Sequence, residues 1–281
     1  MKISKSISKK KKYENILIGV FVWSIAVIIY LVPFYYIIIN SIKNLKESTV
    51  LSLKLPSEIV INNFVVAFIE GDMLRGLMNS VIIVAISVSS IIICSALAAF
   101  YIQRSKTKFA NFLYYFFVAG IALPISIITT FALLQNIGLL NTLIGASAVY
   151  IAIRMPFIIF IYVGFLKTVP RELDEAAIID GCSQLGIFVR VIIPLLSTVT
   201  VTSIIISSQF VWNNFDVILF FIQSYDKFTL PLAIYNFAGM YHTQWNLIFA
   251  GSIITVLPVL LIYILGQRYI IAGLTSGAVK G

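Results

Sequence analysis

The chain has 281 residues, of which 60% are hydrophobic and only 11% are charged, and its mean hydropathy is +1.02. Soluble domains carry about a quarter charged residues, so the composition excludes a water-soluble enzyme or binding module and indicates a membrane protein. The net charge of +9 does not imply a nucleic-acid partner, because six of the first twelve residues are lysine and the lysines are not spread over a soluble face.

In chain order, the lysine cluster of residues 1–15 reads as a cytoplasmic topology anchor facing anionic lipid. The apolar run at 16–39 is too long for the core of a signal peptide and no small-residue cleavage site follows it, so it is expected to stay as a first span. Further runs long enough to cross a bilayer fall at 78–100, 112–133, 142–166, 195–215 and 245–269. The expected architecture is therefore all-α, with six transmembrane helices in a membrane domain over 16–269, a cytoplasmic loop at 167–194 and a cytoplasmic tail at 270–281. With the N-terminus inside, the cytoplasmic segments hold Lys2, Lys5, Lys9 to Lys12, Arg104, Lys106, Lys108, Lys167, Arg171, Arg190, Arg268 and Lys280. That is fourteen of the twenty basic residues, against five outside: Lys43, Lys46, Lys54, Arg75 and Lys227. This asymmetry predicts both termini in the cytoplasm.

The longest outer segment is 40–77, where Asn63 followed by FVVAFIEG reads as a capped short helix ending at Gly71 and lying at the interface. Cys94 and Cys182 fall at different depths, which argues against a disulfide, and the lone His242 has no companion at metal-ligand spacing. No metal site is expected. No G-x-x-x-x-G-K-[ST] run is present, so ATP is not bound by that route.

Polar groups inside spans are costly unless they face protein or water. In the fifth span Thr198, Thr202, Gln209, Asn213 and Asp216 are spaced to share one helical face. Thr198 and Thr202 read as packing residues, whereas Gln209, Asn213 and Asp216 are candidates for a wet path. Arg154, just before Pro156 in the fourth span, is the fourth path candidate and is expected to reach the vicinity of Gln209. Capture by backbone carbonyls that the proline frees is the competing reading.

Residues 172–181, ELDEAAIIDG, hold four of the eleven acidic side chains of the chain. Thr168 and Pro170 mark a helix start, the acids favour its first turns, and Gly181 offers a left-handed stop. A second helix is expected from Ser183 to Pro194, with Leu185, Phe188, Val189, Ile192 and Ile193 forming one apolar stripe. Helix, glycine corner and amphipathic helix make an elbow. On residues alone it serves either to dock a partner, which the small Ala176 and Ala177 would admit closely, or to lie on the inner leaflet.

EAAIIDG followed nine residues later by VIIP resembles the EAA motif of ATP-binding-cassette importer permeases, with Val191 and Ile193 in place of the usual Ile and Leu. The Ile-Asp before the glycine resembles the carbohydrate branch, although Cys182 stands where that branch usually has Ala. TVPRELDEAA, Trp212-Asn213 and the C-terminal GLTSGAVKG extend the similarity to maltose-type second permeases over residues 79–281. The resemblance implies a type I importer permease fold whose coupling helix sits in a cleft of a soluble ATPase. Glu175, Ala176, Ala177, Asp180 and Gly181 become the coupling residues, and Gly277, Lys280 and Gly281 a tail contact to the ATPase. It also implies a second permease, two ATPase subunits carrying ATP and magnesium, an extracellular sugar-binding protein, and a carbohydrate substrate. The chain itself would need no cofactor, catalyse no bond chemistry and lie in a bacterial cell membrane. An importer for another solute would share the elbow. An ion-driven secondary transporter is the runner-up class, although no acid sits centrally in a span, and a scaffold subunit without a path is the third.

Overall fold

The computed structural model describes residues 2–239 and 243–278. The longer helices are α1 (Lys2–Ser41), α2 (Asn62–Glu70), α3 (Met73–Arg104), α4 (Lys108–Ala122), α5 (Ile127–Asn136), α6 (Leu143–Leu166), α7 (Glu172–Ile179), α8 (Gln184–Leu195), α9 (Ser197–Asn213), α10 (Asp216–Phe221) and α11 (Trp245–Ala278). Among the described residues no strand forms beyond one isolated bridge between Ala238 and Thr243.

Four stretches are long and apolar enough to cross a membrane as single helices: Ile18–Ser41, Met73–Arg104, Leu143–Leu166 and Trp245–Ile264. The expected third span is a bent pair instead, a second bent pair joins the expected elbow helix to the expected fifth span, and counting each pair as one span gives up to six. The third breaks between α4 and α5 by 117°. Pro124 lies in that break; it has no N–H to continue the ladder and pushes the residue before it out of the helical region, and Leu123 is extended at ψ 121°. The second pair bends by 74° where α8 meets α9.

The chain divides into two compact units. The first joins Met1–Gly71 to Ile234–Ile254. Its apolar cluster is Ala67, Phe237, Leu247 and Ala250. Beside it lies a polar knot. Lys43 is fully buried, its Nζ donating to Asn40 Oδ1 and to the carbonyl and hydroxyl of Ser52 at 2.9–3.0 Å. Asn63 does not cap α2 as the sequence suggested. Ile61 holds the cap position, and Asn63 donates to the Ser41 and Lys43 carbonyls at 2.8 Å while accepting from Asn246. A buried cation with no carboxylate partner among the described residues is tolerated because all three of its N–H groups find oxygen. Gly71 ends α2 without a left-handed turn, at φ −77°; a Cβ there would meet the Ala67 carbonyl at 2.5 Å and the Phe237 ring at 3.1 Å.

The second unit, Asp72–Ala233 with Thr255–Gly281, is built around α3 and α6. Ser87, Ile91, Ser95 and Ala99 recur every four residues along α3 and are all fully buried. The small Ser87, Ser95 and Ala99 on that face let helix backbones approach closely, which is how association proceeds where lipid removes the hydrophobic drive. Ser87 and Ser95 donate across the interface to the Ser147 and Met155 carbonyls at 3.5 and 3.4 Å, bonds worth about 0.6 kcal/mol each on average in membrane bundles. Thr142 caps α6 by accepting from the Gly145 N–H at 2.9 Å.

Candidate functional site

The elbow is formed by α7, the corner at Asp180 to Ser183, and α8. Arg171 precedes α7, and Glu172, Asp174 and Glu175 fill its first turn, where the helix dipole favours them. Thr168 does not start the helix; its hydroxyl donates to the Phe165 carbonyl at the end of α6. Gly181 adopts φ +78°, its N–H reaching the Ile178 carbonyl while that of Cys182 reaches Ala177, both at 2.9 Å. This is the expected left-handed stop. A Cβ on Gly181 would touch nothing within 4 Å, so the glycine is needed for its dihedral and not for space. Ser183 caps α8, its hydroxyl accepting from the Gly186 N–H at 3.2 Å.

The two alanines point opposite ways. Ala177 is buried in the cluster of Ile102, Ile158, Ile187, Phe188 and Leu166, whereas Ala176 is exposed between Glu175, Asp180 and the apolar Ile179, which is 86% exposed. Leu173, Ile178 and Leu185 are exposed with it.

The single stripe expected on α8 is not what forms. Residues Phe188–Ile192 are π-helical, the Ile193 N–H reaching back five residues to the Phe188 carbonyl. Pro194 has no N–H for the Arg190 carbonyl four residues before it, and the wider turn accommodates that loss. Ile187, Phe188 and Ile192 are buried in the core, whereas Leu185, Val189 and Ile193 are exposed as a second apolar row.

Sequence reasoning missed what fastens the elbow to α3. The Nε of Arg104, the last residue of α3, lies 2.6 Å from Asp174 Oδ2 with both side chains largely buried. Its N–H is off the line to that oxygen, so the attraction is coulombic; the hydrogen bonds are from Nη2 to Asp174 Oδ1 at 3.5 Å and from Nη1 to the Val169 carbonyl at 3.3 Å. Arg171 donates to the Gln103 carbonyl at 2.9 Å. Between α3 and the elbow lies a cleft of about 540 Å³ lined by Phe100, Tyr101, Arg171, Glu175 and Gln184 among others. The partners are about seventy residues apart in sequence, and no local pattern joins them.

The path candidates separate in the structure. Gln209 is half-buried and Asn213 exposed on α9, which ends at Asn213. Asp216 is exposed and opens α10, beyond the extended Asn214, so it does not continue the helical face expected from its spacing. Tyr150 donates its hydroxyl to the Asn214 carbonyl and thereby fixes the break. Thr202 is buried, as a packing residue should be, while Thr198 is exposed. Arg154 does not bond to Gln209. Its guanidinium lies over the rings of Phe157 and Phe210, 4.5 and 4.9 Å from the centroids, with Nε buried and unpartnered. Cation–π contact of this kind is worth more where water is excluded.

Residues 91–275 match the family model described as the binding-protein-dependent transport system inner membrane component. The chain belongs to that family. Among similar members, the probable starch degradation products transport permease AmyC of Thermoanaerobacterium thermosulfurigenes is 33% identical over 90% of this chain and 93% of its own. The melibiose/raffinose/stachyose import permease MelC of Bacillus subtilis is 33% identical over 89% and 91%. The permease also shares its fold with a crystal structure of a bacterial ABC transporter involved in alginate import, at a TM-score of 0.77 and 17% identity over 92% of this chain and 97% of the other.

Of the expected tail contact, Lys280 and Gly281 lie outside the described residues, as does His242. Gly277 belongs to the last turn of α11, which runs on into the expected tail at 270–281.

Proposed function

We propose that this multi-pass membrane protein is the membrane-spanning subunit of an ATP-driven carbohydrate importer, and that it couples to a separate ATPase through the elbow. The observation that carries this reading is the face made by Glu175, Ala176, Ile179 and Asp180. It is solvent-exposed, small at its centre, apolar at one edge and acidic at the others, on an elbow whose inner side is packed into the core. A surface that only lay on lipid would not need two carboxylates around an exposed alanine. Gly181 sets the angle of that face. The relatives' names support the solute class, and the basic-residue asymmetry supports a cytoplasmic elbow with both termini on the same side.

The complete importer contains this chain, a second permease, two ATPase subunits holding ATP and magnesium, and an external sugar-binding protein. Arg154, Gln209 and Asn213 face the solute path, with Asp216 at its outer edge. The tail residues Gly277, Lys280 and Gly281 make a second, regulatory contact with the ATPase. Purifying the tagged chain in mild detergent from its native membrane tests the reading. The expected companions are an ATPase, a second permease and a sugar-binding protein. Recovery of the chain alone, from a preparation that preserves another importer of this kind, overturns it.

A further inference from the structure

Helix α3 is a rod of about 48 Å at 1.5 Å per residue, and its sequence contains no proline. Both of its ends are tied down within the same unit. At the cytoplasmic end Arg104 grips Asp174 and the Val169 carbonyl, Arg171 grips the Gln103 carbonyl, and the Phe100 and Phe188 rings meet at 5.4 Å. Three parts of the elbow are thus held: the first turn of α7, the segment leading into it, and the π turn of α8. At the other end Asn79 Nδ2 donates to the Asp226 and Phe228 carbonyls at 2.9 and 3.0 Å, and Ser80 Oγ accepts from the Leu230 N–H at 2.9 Å. Gly76 approaches the Leu230 backbone so closely that a Cβ would lie 3.1 Å from its Cα.

Apolar contacts between helices permit sliding, because one methyl group serves much like the next. A largely buried ion pair resists sliding, because separating the two charges would leave one of them uncompensated. Both charges also sit where helix dipoles favour them, the cation at the C-terminus of α3 and the anion in the first turn of α7.

We propose that Arg104 is the positioning residue that locks the elbow to α3, so that displacement of the elbow by a docked ATPase is carried along α3 to the outer segment at residues 226–230. The proposal rests on the ATPase-coupled reading above. Neither end of this linkage belongs to the EAA motif.

The test uses the whole importer as it copurifies, with Cys94 and Cys182 changed to serine and an environment-sensitive fluorophore on Tyr225→Cys, beside the pinned outer segment. A non-hydrolysable ATP analogue with magnesium is the probe, so no solute need be known. The expected result is a nucleotide-dependent fluorescence shift in the parent, reduced fivefold or more by Arg104→Gln and largely kept by Arg104→Lys, at unchanged complex yield and nucleotide binding. If Arg104→Gln fails to assemble, Asp174→Asn is read in the same way. A full shift in either neutral variant overturns the proposal, as does the absence of any shift in the parent. Failure of the parent reading is distinct, since it is seen earlier as a chain that brings no ATPase with it.

Discussion

Gly181 holds a backbone conformation, φ +78°, that costs an L-residue about 1–2 kcal/mol, although there is ample room for a side chain. Dihedral strain without steric conflict makes a graded prediction. Gly181→Leu must either pay that strain or re-aim the face of Ala176, and uptake of the carbohydrate identified through the binding protein should fall roughly tenfold while insertion is normal. Gly181→Asn should retain most uptake, because asparagine tolerates the left-handed region. Equal loss in both variants would show that the site requires space after all. Gly181 was legible in the sequence because a stop glycine is a local signal. Lys43, Arg104 and Asp174 were not, because what defines them is a partner far along the chain. Arg104 read only as one more cytoplasmic charge, and Lys43 as one of five outside, yet one is an ion-pair partner and the other a fully buried cation. Arg154 was correctly singled out as an anomaly, but its neighbours proved to be Phe157 and Phe210 rather than an amide.

The spans themselves were readable from length and apolarity, and the four continuous ones fall close to the expected bounds. What hydropathy does not report is direction, so the bend inside the third span was missed although Pro124 stood in the sequence, whereas the break after Pro194 falls where the elbow helix was expected to end and the fifth span to begin. The π turn is the more informative miss. A regular 3.6-residue period put Leu185, Phe188, Val189, Ile192 and Ile193 on one stripe, but a π turn forms over Phe188–Ile192 and only Phe188 and Ile192 of the five are buried. Deleting Val189 should restore a plain α-helix and rotate the elbow by about 100° relative to α9, pulling Ile187 and Phe188 off the core. The expected outcome is a chain found in the membrane at normal amounts, by immunoblot, with uptake reduced to background. Full uptake would mean that the orientation of the elbow face does not matter to transport.

At the scale of the whole molecule, one prediction decides whether the parts point the right way. The orientation rests on fourteen basic residues against five, with no single charge deciding it, and the rule counts short loops such as those on either side of α7 and α8. Under the proposed function it would put the acidic elbow on the side of the ATPase and the pinned segment at residues 226–230 on the side of the binding protein. Cys182, a free and half-buried thiol at the elbow corner, reports this directly once Cys94 is changed to serine. A membrane-impermeant maleimide should label it in inside-out vesicles stripped of peripheral subunits and leave it unlabelled in intact cells. The reverse pattern would turn the elbow outward, and with it both the ATPase contact and the transmission along α3 would be lost, whatever family the chain belongs to.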